Sequence, residues 1–243
     1  MKKENKIAFR LYATQALFSD PITRVGGEKC TYSVPTYEAL KGICESIYWK
    51  PVFIWVIDRV RVLNQIKTES KGIRVPKYYG GNDLSIYTYL RDVAYEVEAH
   101  FEWNENRPEL ENDRNENKHY FIAKRMLERG GRRDIFLGTR ECQGYVEPCS
   151  FGSSQSWYED KNILNLGIML HGINYPDMTG KDFMEIRLWD VKMRNGIIDF
   201  IRPEECSIVM RSSKASKKIF AYGENYSGLK EFEKEGVFIG MDE

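Results

Sequence analysis

No run of 18 apolar residues interrupts this 243-residue chain, and a bilayer-spanning helix needs about 20. The start, Met1 to Lys6, is polar and lacks the apolar stretch of a secretion signal, so a cytoplasmic protein without membrane contact is expected. Net charge is missing too. Against 36 Lys and Arg stand 36 Asp and Glu, which excludes a polybasic grip on nucleic acid and confines any such contact to local patches. Five cysteines contain no CxxC pair. Their spacing fits neither a zinc ribbon nor a thioredoxin motif, and reduced thiols are expected. There is no GxxxxGK[ST], no HExxH, no GxGxxG between strand and helix and no Ser or Cys in a nucleophile elbow, which argues against a nucleotide hydrolase, a zincin and a dehydrogenase. The acids between Glu96 and Glu116 are scattered over a strand and a loop without fixed pairing, a weak basis for two-metal hydrolysis. Neither a metal nor a cofactor is expected.

A hydrophobic fraction of 42% is enough for a core, and the length suits one domain with extensions or two unequal ones. Ile7, Phe9, Leu11 and Ala13 alternate as a strand does. Pro35-Thr36 opens a segment with Leu40, Ile43, Cys44 and Ile47 at i, i+3, i+4 and i+7, an amphipathic helix that Pro51 forbids to continue. Val52 to Ile57 is β-branched and aromatic, a second strand. Val93 to Trp103 keeps period two as a third. Asn115 to Asn117 offer caps for a helix over Lys118 to Arg129, which Gly130-Gly131 stops. A fourth strand falls between Ile135 and Phe151. This order predicts an α+β, ferredoxin-like βαββαβ domain. Ile163 to Ile173 and Phe183 to Met193 read as strands, and Asn195-Gly196 as a type I′ turn, so a C-terminal antiparallel β-sheet extension follows. The expected organisation is a domain over 1–151, a small antiparallel β domain over 152–211 and a loosely ordered tail over 212–243.

Charge is blocked along the chain: net +7 over residues 1–80, −7 over 81–117, +5 over 118–140 and −5 over 141–243. In a βαββαβ fold the C-terminal end of helix one and the N-terminal end of helix two share an edge, so Tyr48 should meet Lys118 and His119. The opposite edge should collect the loop after strand one, the hairpin after strand two and the glycine stop. Arg24, Lys29, Lys67, Lys71, Arg74, Arg129, Arg132 and Arg133 would then form one phosphate-binding face, with Arg140 a further member.

Lys118 at a helix N-terminus opposes the macrodipole by roughly 0.3 to 1 kcal/mol, a local violation of the kind that marks functional sites. His119 is suited to proton transfer near neutrality, yet 119, 122, 123 and 126 fall on one apolar stripe, so it also reads as a core residue. Tyr48 is a poor base unless a cation such as Lys118 stabilises its phenolate. Around an RNA phosphate such a trio can cut without metal: the 2′-hydroxyl attacks in line, one group takes its proton, and another protonates the leaving 5′-oxygen.

Ala16-Leu17-Phe18, Gly26-Gly27-Glu28-Lys29, Tyr32 to Thr36, Ile47 to Pro51, Lys118-His119-Tyr120 and above all Gly130 to Cys142, followed by Gly144 to Pro148, resemble the subtype I-C CRISPR-associated RAMP endoribonucleases, the Cas-five family in its Dvulg variant. The likeness runs from about residue 7 to about residue 209. It implies a ferredoxin-like RAMP domain with a β-rich extension, cleavage of precursor CRISPR RNA at the base of the repeat stem-loop, and retention of the 5′ handle of the mature RNA. The implied partners are precursor and mature CRISPR RNA and the other subunits of a type I-C interference complex, a backbone RAMP subunit and a large subunit, with double-stranded DNA a further candidate. The family's cutting set matches Tyr48, Lys118 and His119. The competing expectation is a non-catalytic RNA-binding scaffold that caps the handle.

Overall fold

The computed structural model describes residues 5–21 and 23–214. In chain order its elements are β1 (Ile7–Ala16), β2 (Lys29–Cys30), α1 (Tyr37–Ile47), β3 (Phe53–Val62), β4 (Thr68–Pro76), β5 (Asn82–Trp103), α2 (Glu116–Glu128), β6 (Ile135–Phe136), β7 (Gln143–Pro148), β8 (Leu164–Asn174), α3 (Pro176–Thr179), β9 (Phe183–Met193), β10 (Ile197–Asp199) and β11 (Ile208–Lys214). The main sheet runs β10-β3-β5-β1-β7-β6. Its central strands β3-β5-β1-β7 pair antiparallel throughout, and with α1 and α2 they make the ferredoxin-like arrangement. A second, three-stranded sheet runs β11-β9-β8. The fold is α+β and mostly antiparallel sheet.

Local chemistry accounts for the elements that frame the site. Thr36 caps α1 by accepting the Ala39 N–H at 3.2 Å, one of the donors a helix N-terminus leaves free. The stripe Leu40, Ile43, Cys44 and Ile47 is buried against the sheet. Tyr48 then breaks the helical path at φ −160°, its N–H still bonded to Cys44 O. Asn115 caps α2 through Oδ1, which accepts the Lys118 N–H at 3.0 Å. The core beneath α1 and α2 holds Phe9, Leu11, Trp55, Phe53, Val97 and Phe101, all nearly sealed from water; burying each such side chain contributes about 1.5–3 kcal/mol.

Three features depart from the sequence expectations. β5 begins eleven residues earlier than the third-strand reading, and with β4 it forms a long two-stranded ribbon; β4 has no fully buried position, so no apolar alternation announced it. Asn195 and Gly196 take positive φ, 50° and 81°, as a type I′ turn requires. The strand beyond that turn leaves its sheet after one bridge and pairs with β3 instead. The stretch 152–211 therefore contributes to both sheets, and the two share one core through Met169, Trp189, Val191, Met193 and Ile198. β11 continues through Lys214, past the expected start of the tail at 212; the rest of that tail, 215–243, lies outside the described residues.

Candidate active site

Tyr48, at the C-terminal cap of α1, and His119, in the first turn of α2, meet across 71 residues: Tyr48 Oη lies 2.9 Å from His119 Nδ1. The other ring nitrogen, Nε2, is 2.8 Å from the backbone carbonyl of Asp113. A carbonyl only accepts, so Nε2 carries the proton, and in the neutral imidazole Nδ1 is left to accept from the tyrosine hydroxyl. Both partners are fixed in turn. Trp55 Nε1 donates to Tyr48 O at 2.7 Å, and Phe53, Phe101 and Trp103 surround the imidazole edge-on. His119 is wholly buried and Tyr48 only 3% exposed, so the apolar-stripe reading and the tyrosine-partner reading of His119 are both realised.

Lys118 stands at the surface, about half exposed, and its ammonium pairs with the Asp113 carboxylate. That bond holds the Asp113 carboxyl below the usual carboxylate range, with the charge of Lys118 adding to it. Burial raises the Tyr48 hydroxyl above its ordinary value, the Asp113 charge adds to this, and Arg132 opposes it. The cation acting on the phenol is thus Arg132 rather than the expected Lys118.

Arg132 comes near because the loop after α2 returns to the end of α1. Both ends of α2 are tied to the last turn of α1: His119 to Tyr48 at one end, and the backbone N–H groups of Arg132 and Arg133 to Ser46 O and Ile47 O at the other. Gly131 makes the reversal at φ 110°, where a Cβ would stand 3.0 Å from Arg133 O. The expectation that Arg129, Arg132 and Arg133 lie at the edge opposite Tyr48 is corrected accordingly. The free carbonyls at the end of α1, Ser46 O and Ile47 O, accept from Arg132 and Arg133 and hold them at the Tyr48 edge, and Arg129 is the cap of α2 leading into that loop. Arg24 is exposed in a 3-10 turn over Thr23–Gly26, and Lys29 lies in β2 with its ammonium 4.8 Å from the Tyr87 ring centre. Arg140 is exposed in the turn between β6 and β7, beside Glu141, whose carboxylate is bonded by Tyr89.

A sequence profile described as CRISPR-associated protein (Cas_Cas5), of the Cas5d type, matches residues 6–201. The chain belongs to the CRISPR-associated Cas5d family. It is similar to the CRISPR pre-crRNA endoribonuclease Cas5d of Mannheimia succiniciproducens, 29% identical over 227 residues and covering 80% of this chain and 94% of that protein. The protein of the same name from Thermus thermophilus is 30% identical over 154 residues, covering 59% of this chain and 64% of that one. Among solved structures, one titled as a CRISPR-associated protein superposes with a TM-score of 0.73 at 38% identity, over 84% of this chain and 96% of that one. A functionally uncharacterized protein from Streptococcus mutans gives 0.71 at 41%, with the same coverage.

In this Cas5d family member the residue that sequence reasoning missed is Asp113. Its carbonyl selects the tautomer of His119 and its carboxylate occupies Lys118. The available signal was an acid five residues before a lysine that itself sits unfavourably at a helix start. Among the described residues no group of three or more His, Cys, Asp or Glu is placed to hold a metal ion, and no helix is long and apolar enough to cross a membrane.

Proposed function

We propose that this Cas5d family member is a metal-independent endoribonuclease that cuts precursor CRISPR RNA at the base of the repeat stem-loop and stays bound to the 5′ handle within a type I-C interference complex. The observation that carries this reading is the Tyr48 Oη to His119 Nδ1 contact, with the imidazole oriented from behind by Asp113 O. The names of the two curated relatives support it. In the step envisaged, the RNA 2′-oxygen bonds to the adjacent phosphorus as the bond from phosphorus to the 5′-oxygen breaks. The 2′-hydroxyl proton passes to the Tyr48 oxygen as Tyr48 hands its own proton to Nδ1, and the leaving 5′-oxygen takes up a proton from solvent water, giving a 2′,3′-cyclic phosphate and a 5′-hydroxyl. Lys118, on the open side, exchanges Asp113 for the phosphate and stabilises its growing charge.

One observation favours the second reading, a scaffold that caps the handle without cutting: Tyr48 and His119 are almost closed to solvent. Cleavage therefore requires the Asp113–Lys118 pair to part when RNA arrives. Incubating the full chain with its repeat RNA in excess EDTA separates the readings. Cutting in EDTA, with a 5′-hydroxyl product and none from RNA carrying a 2′-deoxy scissile nucleotide, is the expected result; binding without any cutting returns the protein to the scaffold reading, and cutting that needs magnesium overturns the metal-independent step.

A further inference from the structure

A crevice of about 240 Å³ opens between α1, the paired ends of β3 and β5, and the β8–β9 sheet. Two cations are sealed into its wall, Lys41 at 4% exposure and Arg187 at 3%. Lys41 Nζ lies 2.9 Å from the Met178 thioether sulfur, a weak acceptor. Arg187 Nε has no acceptor at all, and a further weak partner, the Cys206 thiol, lies beside the guanidinium. The carboxylates of the wall are committed elsewhere: Glu102 and Glu204 to Arg202, Glu105 to Arg114. Glu38 Oε2 accepts the Ile173 N–H at 3.2 Å. Gly172 leaves the space that the guanidinium shares with the Glu38 carboxylate, since a Cβ there would come within 2.6 Å of Arg187 Nη2 and 2.5 Å of Glu38 Oε2.

Burying cations whose direct partners are only a thioether and a thiol, with the carboxylates of Glu45 and Glu185 acting on them at longer range, is costly, and a chain that only had to fill this space would gain stability from an aliphatic side chain. We propose that the crevice is an oxyanion site that takes a phosphate group, gripped by Lys41 and by the Arg187 fork, which matches two oxygens of one phosphate. The walls of Tyr37, Trp55 and Trp103 keep water out and strengthen that grip. Trp103 also packs against His119, ring centres 5.9 Å apart, so the bound phosphate lies one aromatic ring from the candidate catalytic pair. Two sources carry this chemistry, free phosphate and a phosphodiester of bound RNA; the second rests on the function proposed above.

Inorganic phosphate titrated against the full chain tests the site through melting temperature and the fluorescence of Trp55 and Trp103. The wild type is expected to gain several degrees in a saturable way. Arg187→Met should melt at or above the wild type without phosphate and lose the response. Equal responses in both proteins, or an Arg187→Met chain that melts far below the wild type, overturn the proposal in favour of a structural arginine. Arg187→Lys keeps the charge without the fork and should shift the titration to higher phosphate; an unshifted titration also overturns it. With repeat RNA bound, loss of the phosphate response assigns the site to the RNA backbone, and an undiminished response to free phosphate. No arm reads cleavage, so failure of the endoribonuclease reading leaves this titration standing.

Discussion

Two histidines are closed completely to water, one beneath each sheet, and they are held differently. His171, on β8, stacks on Tyr37 with ring centres 4.3 Å apart. Its Nε2 donates to Ile201 O at 2.9 Å, while Nδ1 has no partner. Burial pushes its pKa down to about 4 against the opposing pull of that carbonyl. His119 is anchored by a backbone carbonyl in the same way, but its second nitrogen faces a tyrosine hydroxyl. Burial and an anchored tautomer are thus common to a packing histidine and a candidate catalytic one. What separates them is whether the remaining nitrogen has a proton to handle.

The comparison breaks first on rate. His119→Ala and Lys118→Ala should each lower the single-turnover cleavage rate by about 10²-fold or more, the usual scale of proton-transfer and electrostatic contributions, with RNA affinity changed far less. Tyr48→Phe should act similarly while costing about 1 kcal/mol of stability, the worth of one hydrogen bond. Full-rate cutting by a folded His119→Ala chain would make His119 a second His171.

For His171 the expected effect is on acid stability. Its folded value of about 4 lies below the unfolded reference of about 6.5, so the unfolded chain takes the proton first as pH falls. The stabilisation is complete above about pH 6.5 and shrinks by on the order of 3 kcal/mol towards pH 4. Urea unfolding at several pH values checks this: His171→Phe should flatten the decline, and parallel curves for the two proteins would refute the assignment. Next in size, Arg132→Ala and Arg133→Ala should each lower the log-log salt dependence of RNA binding by roughly one, read by filter binding. An unchanged slope would mean that these arginines serve only to close the loop onto α1. The smallest effect is expected of Asp113→Asn. Exposed ion pairs contribute little, so its melting temperature should barely move, while the freed Lys118 should raise RNA affinity at low salt; a large loss of stability would show that the carboxylate helps hold His119.

Much of the framework was legible because it follows from periodicities with one strong cause. The α1 stripe and the alternation of β1 are imprints of a single buried face, and Asn195-Gly196 is nearly the sole chemistry that a tight turn of that hand accepts. The meeting of Tyr48 with His119 followed from topology alone. The ribbon of β4 and β5 was not legible because a strand without a buried face carries no alternation. The return of the loop after α2 to the end of α1 was hidden because it depends on backbone bonds from Arg132 and Arg133 to Ser46 and Ile47, in which side-chain identity takes no part. For the same reason Asp113 was missed, since it orients His119 through a carbonyl that every residue possesses.

The detour of the chain after Asn195-Gly196 bears on how the protein behaves as a solute. β3 is a ten-residue run of mostly apolar side chains, Phe53 to Val62, and the outer rim of its second half, Asp58 to Arg61, is taken up by Ile197 to Asp199 together with the Phe200 N–H, which reaches Asp58 O at 2.9 Å. A chain shortened to residue 151 would leave that rim bare, with Arg59 and Arg61 as its only charged basic guards on the strand. Bare strand rims recruit one another, so the shortened chain should self-associate more readily than the full one: the C-terminal half works as a stopper against sheet-to-sheet joining at this stretch, whatever else it binds.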